Sequence, residues 1–349
     1  MTKLGVLFSV LGVGAGCIPA FAQKQLPNII VMLSDDQGWG DLGFTGNTFV
    51  QTPNIDRIAH EGTILENFYV CPVSSPTRAE FLTGRYHVRS CVNSTTGGGE
   101  RFNLGEKTIA EYFREAGYAT SLFGKWHSGT QYPYHPNARG FEEFYGFCSG
   151  HWGNYWNPVL EHNGEIISGE GFIIDDLTDK ALDYIRDHKE HPFFMFLSYN
   201  TPHSPMQVPD SWWNRVKDRT LSQRATFPEQ EDTTFTKAAL ALAENLDWNI
   251  GRVLSLLHSL DLEQETIVIY FSDNGPNSFR WNGGMKGRKG STDEGGVRSP
   301  FCIRWPGHIR KGAVETQLSG AIDLIPTLLG LAGIEYTPLR KLDGIDWGQ

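Results

Sequence analysis

Four stretches of β-branched and aromatic residues, at 27–33, 118–123, 193–197 and 266–271, run without any alternation of apolar and polar positions. Such unbroken runs predict strands buried on both faces, as in a parallel sheet. Between and after them a period near 3.6 predicts helices over 52–61, 108–116, 176–188, 233–260 and 322–332. In the longest, Leu242, Leu246, Ile250, Val253 and Leu257 recur at spacings of three and four, which marks one buried face. Strand–helix alternation of this kind predicts an α/β fold, a large and mostly parallel central sheet flanked by helices.

Each predicted strand runs into a polar segment. The first ends in Ser34-Asp35-Asp36-Gln37-Gly38 and the second in Gly124-Lys125-Trp126-His127. The third ends in Ser198-Tyr199-Asn200-Thr201-Pro202-His203 and the fourth in Ser272-Asp273-Asn274-Gly275. Open α/β sheets bind ligands at the carboxyl ends of their strands, so four such endings predict one shared site. Asp35, Asp36, Asp273 and Asn274 together offer three carboxylates and an amide oxygen. Clustered like charges repel unless a cation neutralises them, and oxygen-only ligation selects a hard ion, Ca²⁺ or Mg²⁺, over zinc.

A fifth segment adds a hydroxyl and a cation. In Ser74-Ser75-Pro76-Thr77-Arg78, the sequence places an N-cap at Ser75 and Pro76 at the first helical position. Ser74 then stands at a helix mouth that favours an anion, with Arg78 four residues on and on the same side.

Composition narrows the partners. The chain has 349 residues and a formal net charge of −10, which argues against nucleic acid or an anionic membrane as a general partner. Lys3, the apolar run 4–13 and Ala20-Phe21-Ala22 predict a signal peptide over 1–22 and export to a periplasm or beyond, with no transmembrane segment elsewhere. The mature chain would then be one catalytic domain over 23–349. It keeps Cys71, Cys91, Cys148 and Cys302, whose spacing selects no disulfide pairing and no zinc finger.

The 74–85 segment, Ser-Ser-Pro-Thr-Arg followed by Leu82-Thr83-Gly84, resembles the signature of the sulfatase family, whose fold is alkaline phosphatase-like. Gly124-Lys125-Trp126-His127, Thr201-Pro202-His203, Lys289 in the 289–300 segment, and both acidic strand endings match further motifs of that family. The resemblance implies oxidation of Ser74 to formylglycine by a maturation enzyme, hydration of the aldehyde, and attack of a diol oxygen on sulfur. It implies Ca²⁺ held by Asp35, Asp36, Asp273, Asn274 and an oxygen of residue 74. Arg78, Lys125, His127, His203 and Lys289 would clamp the sulfate, with Lys289 or His203 protonating the leaving oxygen and His127 as base. Cys71 does not fit, because Val73 and Ser75 stand where proline and arginine would be needed. Sulfated glycans or aryl sulfates are the implied substrates, and phosphate or phosphonate ester hydrolysis is the alternative within the same superfamily.

Four features stay open at this level. Lys286 is displaced from the family register and reads as a rim charge, and Ser149 reads as a loop serine. The aromatic loop 151–156 could stack on a sugar or pack on the sheet. Leu342-Asp343-Gly344-Ile345-Asp346 resembles the linker to a small antiparallel C-terminal subdomain, so the 349-residue sequence is expected to lack that part.

Overall fold

The computed structural model describes residues 26–348, so the signal peptide expected over 1–22 lies outside the described residues. A ten-stranded sheet organises the chain. Its order is Ala313–Glu315, Thr63–Leu65, Phe301–Arg304, Thr266–Ser272, Asn28–Ser34, Phe193–Ser198, Ala119–Lys125, Glu143–Phe147, Val159–His162 and Glu165–Ser168. The five strands from Thr266–Ser272 through Glu143–Phe147 are all parallel. Phe301–Arg304 and Val159–His162 flank them antiparallel.

The four expected strands all form. Glu143–Phe147 joins them as a fifth parallel strand that the pattern did not announce, because its five residues include Glu143 and Gly146. The hairpin of Val159–His162 and Glu165–Ser168 is half exposed and sits at the sheet margin, so no continuous apolar run marks it.

Every residue of Asn28–Ser34 is buried. Successive side chains of a strand point to opposite faces, and the two layers follow from that. Ile29, Val31 and Leu33 pack with Phe81, Leu82, Phe113 and Leu328. Ile30 and Met32 pack with Ile58, Leu177, Leu246 and Ile250. The helices Ser74–Thr83, Ile109–Glu115 and Leu324–Ala332 therefore cover one face, and Pro53–Glu61, Ile173–His188 and Thr233–Ser259 the other.

Local sequence sets the helix starts. Thr108 and Glu111 form a reciprocal capping box at Ile109–Glu115. The Asp232 side chain accepts the N–H groups of Thr234 and Phe235 at the start of Thr233–Ser259. Ser75 does not cap as expected. Its helix begins two residues earlier than expected, at Ser74, with Val73 preceding it. The Ser75 hydroxyl donates to the Ser94 carbonyl at 2.8 Å instead. Pro76 still sits within the first turn, where no intrahelical N–H is required.

The linker-like 342–346 segment lies against this same face, with Asp343 N–H donating to the Gly84 carbonyl and Ile345 N–H to Asp323 Oδ1. Trp347 packs edge-on against Phe68 and Phe301. Cys71, Cys91, Cys148 and Cys302 all carry free thiols. Among the described residues no helix is long and apolar enough to cross a membrane.

Candidate active site

Parallel strands end at one edge of the sheet, and that edge gathers the chemistry. Ser34, Lys125, Ser198 and Ser272 are the last residues of their strands and all are buried. Ser74 and Arg78 are carried over this edge by the first turn of Ser74–Thr83.

Arg78 is fully buried and uses its whole fork. Nε donates to Ser74 Oγ at 2.9 Å, one η nitrogen to Ser198 Oγ at 2.6 Å and to the Lys125 carbonyl at 3.1 Å, and the other to Asp273 Oδ2 at 3.0 Å. Ser74 Oγ donates to the same Asp273 oxygen at 2.6 Å. Ser198 belongs to the site too, and its only sequence signal is its place in a polar strand ending.

Asp36 forms the other half. It takes a left-handed backbone, with φ 63°, which is uncommon outside glycine and clusters at functional sites. Its N–H donates to Asp273 Oδ1 at 3.2 Å, while its Oδ1 receives Asn274 Nδ2 at 2.8 Å and Lys289 Nζ at 2.6 Å. His203 Nε2 lies 3.5 Å from Asp36 Oδ2. Lys125 Nζ reaches Asp35 Oδ2 at 2.6 Å, both groups fully buried.

Three oxygens in this nest have no hydrogen-bond partner: Asp35 Oδ1, Asp36 Oδ2 and Asn274 Oδ1. Buried polar atoms left unpaired are costly and call for a partner. Two carboxylate oxygens and an amide oxygen, all acceptors, suit a hard divalent cation. Asp273 is placed differently from the other three expected ligands, since both its oxygens already accept hydrogen bonds, from Asp36, Ser74 and Arg78.

Charge in the nest is unevenly held. Burial would raise the Asp35 carboxyl, but Lys125, His203, Arg78 and Lys289 outweigh it and keep it well below the usual carboxylate range. Asp273 is raised by burial and by the neighbouring Asp35 charge, with Arg78 opposing. Lys125 is lowered by burial against the pull of Asp35. Lys289 is raised, because Asp36 and Asp35 overcome its desolvation.

Burial, followed by the Lys125 charge, brings the His127 imidazole down to about 2, which favours its neutral form near pH 7. Its Nε2 faces the Thr95 carbonyl at 2.9 Å and its Nδ1 faces Ser74 Oγ at 3.2 Å. The carbonyl can only accept, which puts the proton on Nε2 and leaves Nδ1 as an acceptor towards residue 74. That arrangement suits a base.

All ten residues singled out from the sequence meet here. The remaining candidates separate from them. Lys286 pairs with Asp293 on the surface, and Ser149 donates to the His151 carbonyl at 2.7 Å. Cys71 is buried, its thiol pushed up by burial and by Glu80. The aromatic loop divides: Trp152 stacks on Phe147, and Tyr155 is buried with its hydroxyl donating to the His203 carbonyl at 2.8 Å. Trp156 is half exposed.

Behind the nest lies a pair the sequence did not announce. Arg280 and Asp41 are buried, with Arg280 Nε and one η nitrogen on the two Asp41 oxygens at 2.8 and 2.6 Å. The same η nitrogen donates to the Asp36 carbonyl at 3.0 Å.

The sulfatase family model matches residues 27–334. The N-acetylgalactosamine-6-sulfatase of Sus scrofa is 32% identical over 377 residues, spanning 98% of this chain and 68% of that protein. A solved structure described as Ps i-CgsB in complex with k-i-k-neocarrahexaose superposes with a TM-score of 0.82 at 32% identity, over 92% of this chain and 75% of that one. A second, described under the metabolism of multiple glycosaminoglycans by Bacteroides thetaiotaomicron, gives a TM-score of 0.80 at 26% identity, over 93% and 76%.

Proposed function

The chain belongs to the sulfatase family and is a sulfuric ester hydrolase, and we propose that it desulfates a carbohydrate through a formylglycine made from Ser74 beside a bound Ca²⁺. The observation that carries this reading is the adjacency of two features. Three orphaned acceptor oxygens, on Asp35, Asp36 and Asn274, lie next to a hydroxyl gripped by Arg78 and Asp273. Asp35, Asp36, Asp273, Asn274 and an oxygen of residue 74, with one from substrate, make about six oxygens, the lower end for calcium.

An unmodified serine is a weak nucleophile at neutral pH. Two-electron oxidation by a maturation enzyme would supply a hydrated aldehyde in its place, and the cation, when bound, would supply positive charge against developing anions. The chain's own residues do the rest. Arg78 fixes the oxygen of residue 74 and offers the attacking centre a buried positive charge. Lys125, held by Asp35, adds a second charge on the buried side. His127 Nδ1 stands ready to take a proton from residue 74, with Nε2–H anchored on Thr95.

Lys289 and His203 differ from these groups in exposure, 26% and 17% at the side chain against 0% for Lys125. They line the open margin beside Asp36, so a departing alkoxide meets them before bulk water. Protonated Lys289, kept charged by Asp36, is the acid at this position. A carbohydrate as the substrate is supported by the names of the relatives.

Mass spectrometry of the 74–78 peptide from active protein tests the reading. The expected mass is 2 Da below serine, the loss of two hydrogens on oxidation to the aldehyde. An active protein retaining the plain hydroxyl would overturn it.

A further inference from the structure

Two loops that touch Ser74's surroundings continue outward into a separate cavity. One begins at Ser94 and Thr95, whose carbonyls receive Ser75 Oγ and face His127. The other begins at His127 itself. Beyond them, Gly97, Arg101, Gln131, Tyr132 and Tyr134 line a cavity of about 390 Å³, within the ~300–1,000 Å³ common for small-ligand pockets. Gly97 is two residues from Thr95, and Thr130 is three from His127. At about 3.5 Å per residue, the cavity wall starts within roughly 11 Å of the catalytic backbone.

The two loops are pressed together at Gly129, which has φ 113° and where a Cβ would lie 3.0 Å from Arg101 Cγ on the other loop and 2.5 Å from Tyr134 Cβ on its own. That contact sets Tyr134 beneath Arg101, whose guanidinium carbon lies 5.0 Å from the ring centroid. Arg101 Nε donates to the Gly98 carbonyl at 3.2 Å, but the guanidinium makes no ion pair with any described residue. Glu100 lines the same cavity, its carboxylate turned to the Gly98 N–H at 2.9 Å. Tyr132, 84% exposed, adds an apolar face to the same cavity.

A guanidinium held flat on a ring, with free donors over a cavity, suits a planar or tetrahedral oxyanion, and an exposed aromatic suits the face of a sugar ring. We propose that this cavity is a subsite for a neighbouring sugar unit bearing an oxyanion, so that the enzyme acts on an acidic oligosaccharide and not on an isolated sulfated monosaccharide. This inference rests on the sulfatase reading of the main site. The oxyanion is a uronate carboxylate or a second sulfate, and the test separates them.

The fully matured protein is given three sulfated disaccharides that share the reacting ring and differ in the second: a hexuronic acid, a sulfated hexose and a neutral hexose. Each is compared by kcat/KM, with 4-nitrophenyl sulfate as the small probe. The expected preference over the neutral disaccharide is about tenfold, the worth of one charge-assisted hydrogen bond, and the better of the two anions identifies the group. In Arg101→Gln that ratio should fall to about one, and because both substrates are measured on one enzyme, losses in folding or maturation cancel. Equal turnover of neutral and anionic disaccharides, or a preference that survives Arg101→Gln, overturns the subsite. If oxidised protein cleaves no sulfate ester at all, the main-site reading fails instead. The subsite is then read alone, by calorimetry of a non-sulfated uronate disaccharide against wild type and Arg101→Gln, where equal affinity overturns it.

Discussion

Arg78 Nε holds Ser74 Oγ at 2.9 Å across one helical turn, while the same guanidinium reaches Asp273 and Ser198. The spacing of four residues makes that grip local, and the fork makes it directional. A lysine at 78 would keep the charge and lose the planar geometry. Arg78→Lys is therefore expected to lower kcat by about 10²–10³-fold, the usual loss when one preorganised donor is removed. Steady-state kinetics on an aryl sulfate, with Ser74 oxidation checked by mass, measures it. A lysine variant with wild-type kcat would show that charge alone suffices.

The orphaned oxygens of Asp35, Asp36 and Asn274 give a prediction independent of turnover. A cation that binds only the folded chain stabilises it by RT ln(1 + [L]/Kd), about 2.7 kcal/mol at a hundredfold excess over Kd. Calcium added to chelated protein should raise Tm by several degrees. Asn274→Leu should abolish most of that rise, since it removes one acceptor and adds no charge. Calorimetry with and without Ca²⁺ decides; an unchanged shift in the variant would remove Asn274 from the ligand set.

Asp247 supplies a pH effect away from the site. Its carboxyl accepts the Asn54 and Ile55 N–H groups and Asn54 Nδ2, capping the Pro53–Glu61 helix where Thr52 makes no side-chain cap. Burial nonetheless pushes it from 3.8 up to about 7. An acid with a raised folded value keeps its proton in the native state while the unfolded chain releases it. Stability contributed by Asp247 is thus full below about pH 4 and is lost as pH rises towards 7. In Asp247→Asn this component vanishes, so the gap between the two Tm curves should narrow or reverse as pH rises from 4.5 to 7.5. Parallel curves would show that Asp247 does not titrate there.

The strands and the site were legible for one physical reason. Strands buried on both faces must be continuously apolar, and their polar endings must then converge at one edge, which is how Asp35, Lys125, His203 and Asp273 could be joined from sequence. Glu143–Phe147 escaped because Gly146 interrupts its apolar run. Local propensity favours Ser75 as a cap, but the Ser94 carbonyl, 19 residues on, claims its hydroxyl. The neutrality of His127 follows from burial beside Lys125, which no spacing reveals. Arg280 has no motif around it that points to Asp41, 239 residues away.

That last pair carries a prediction of its own. Asp41 Oδ2 accepts the Gly38 N–H at 2.7 Å and Arg280 donates to the Asp36 carbonyl, so together they pin both ends of the turn that aims Asp36 into the nest. Removing one partner leaves the other buried and charged, at a cost of about 3–5 kcal/mol. Arg280→Met should therefore lower Tm sharply. In the double variant Arg280→Met with Asp41→Leu no charge is left stranded, and much of the stability should return. The Asp36 carbonyl and the Gly38 N–H still lose their anchors, so the calcium-dependent rise in Tm should correspond to roughly 10–100-fold weaker binding, as for other groups that orient a ligand. Measuring Tm against Ca²⁺ concentration separates the two roles: a stable double variant that binds calcium like wild type would make the pair purely structural, whereas recovered stability with weakened binding assigns it to positioning Asp36.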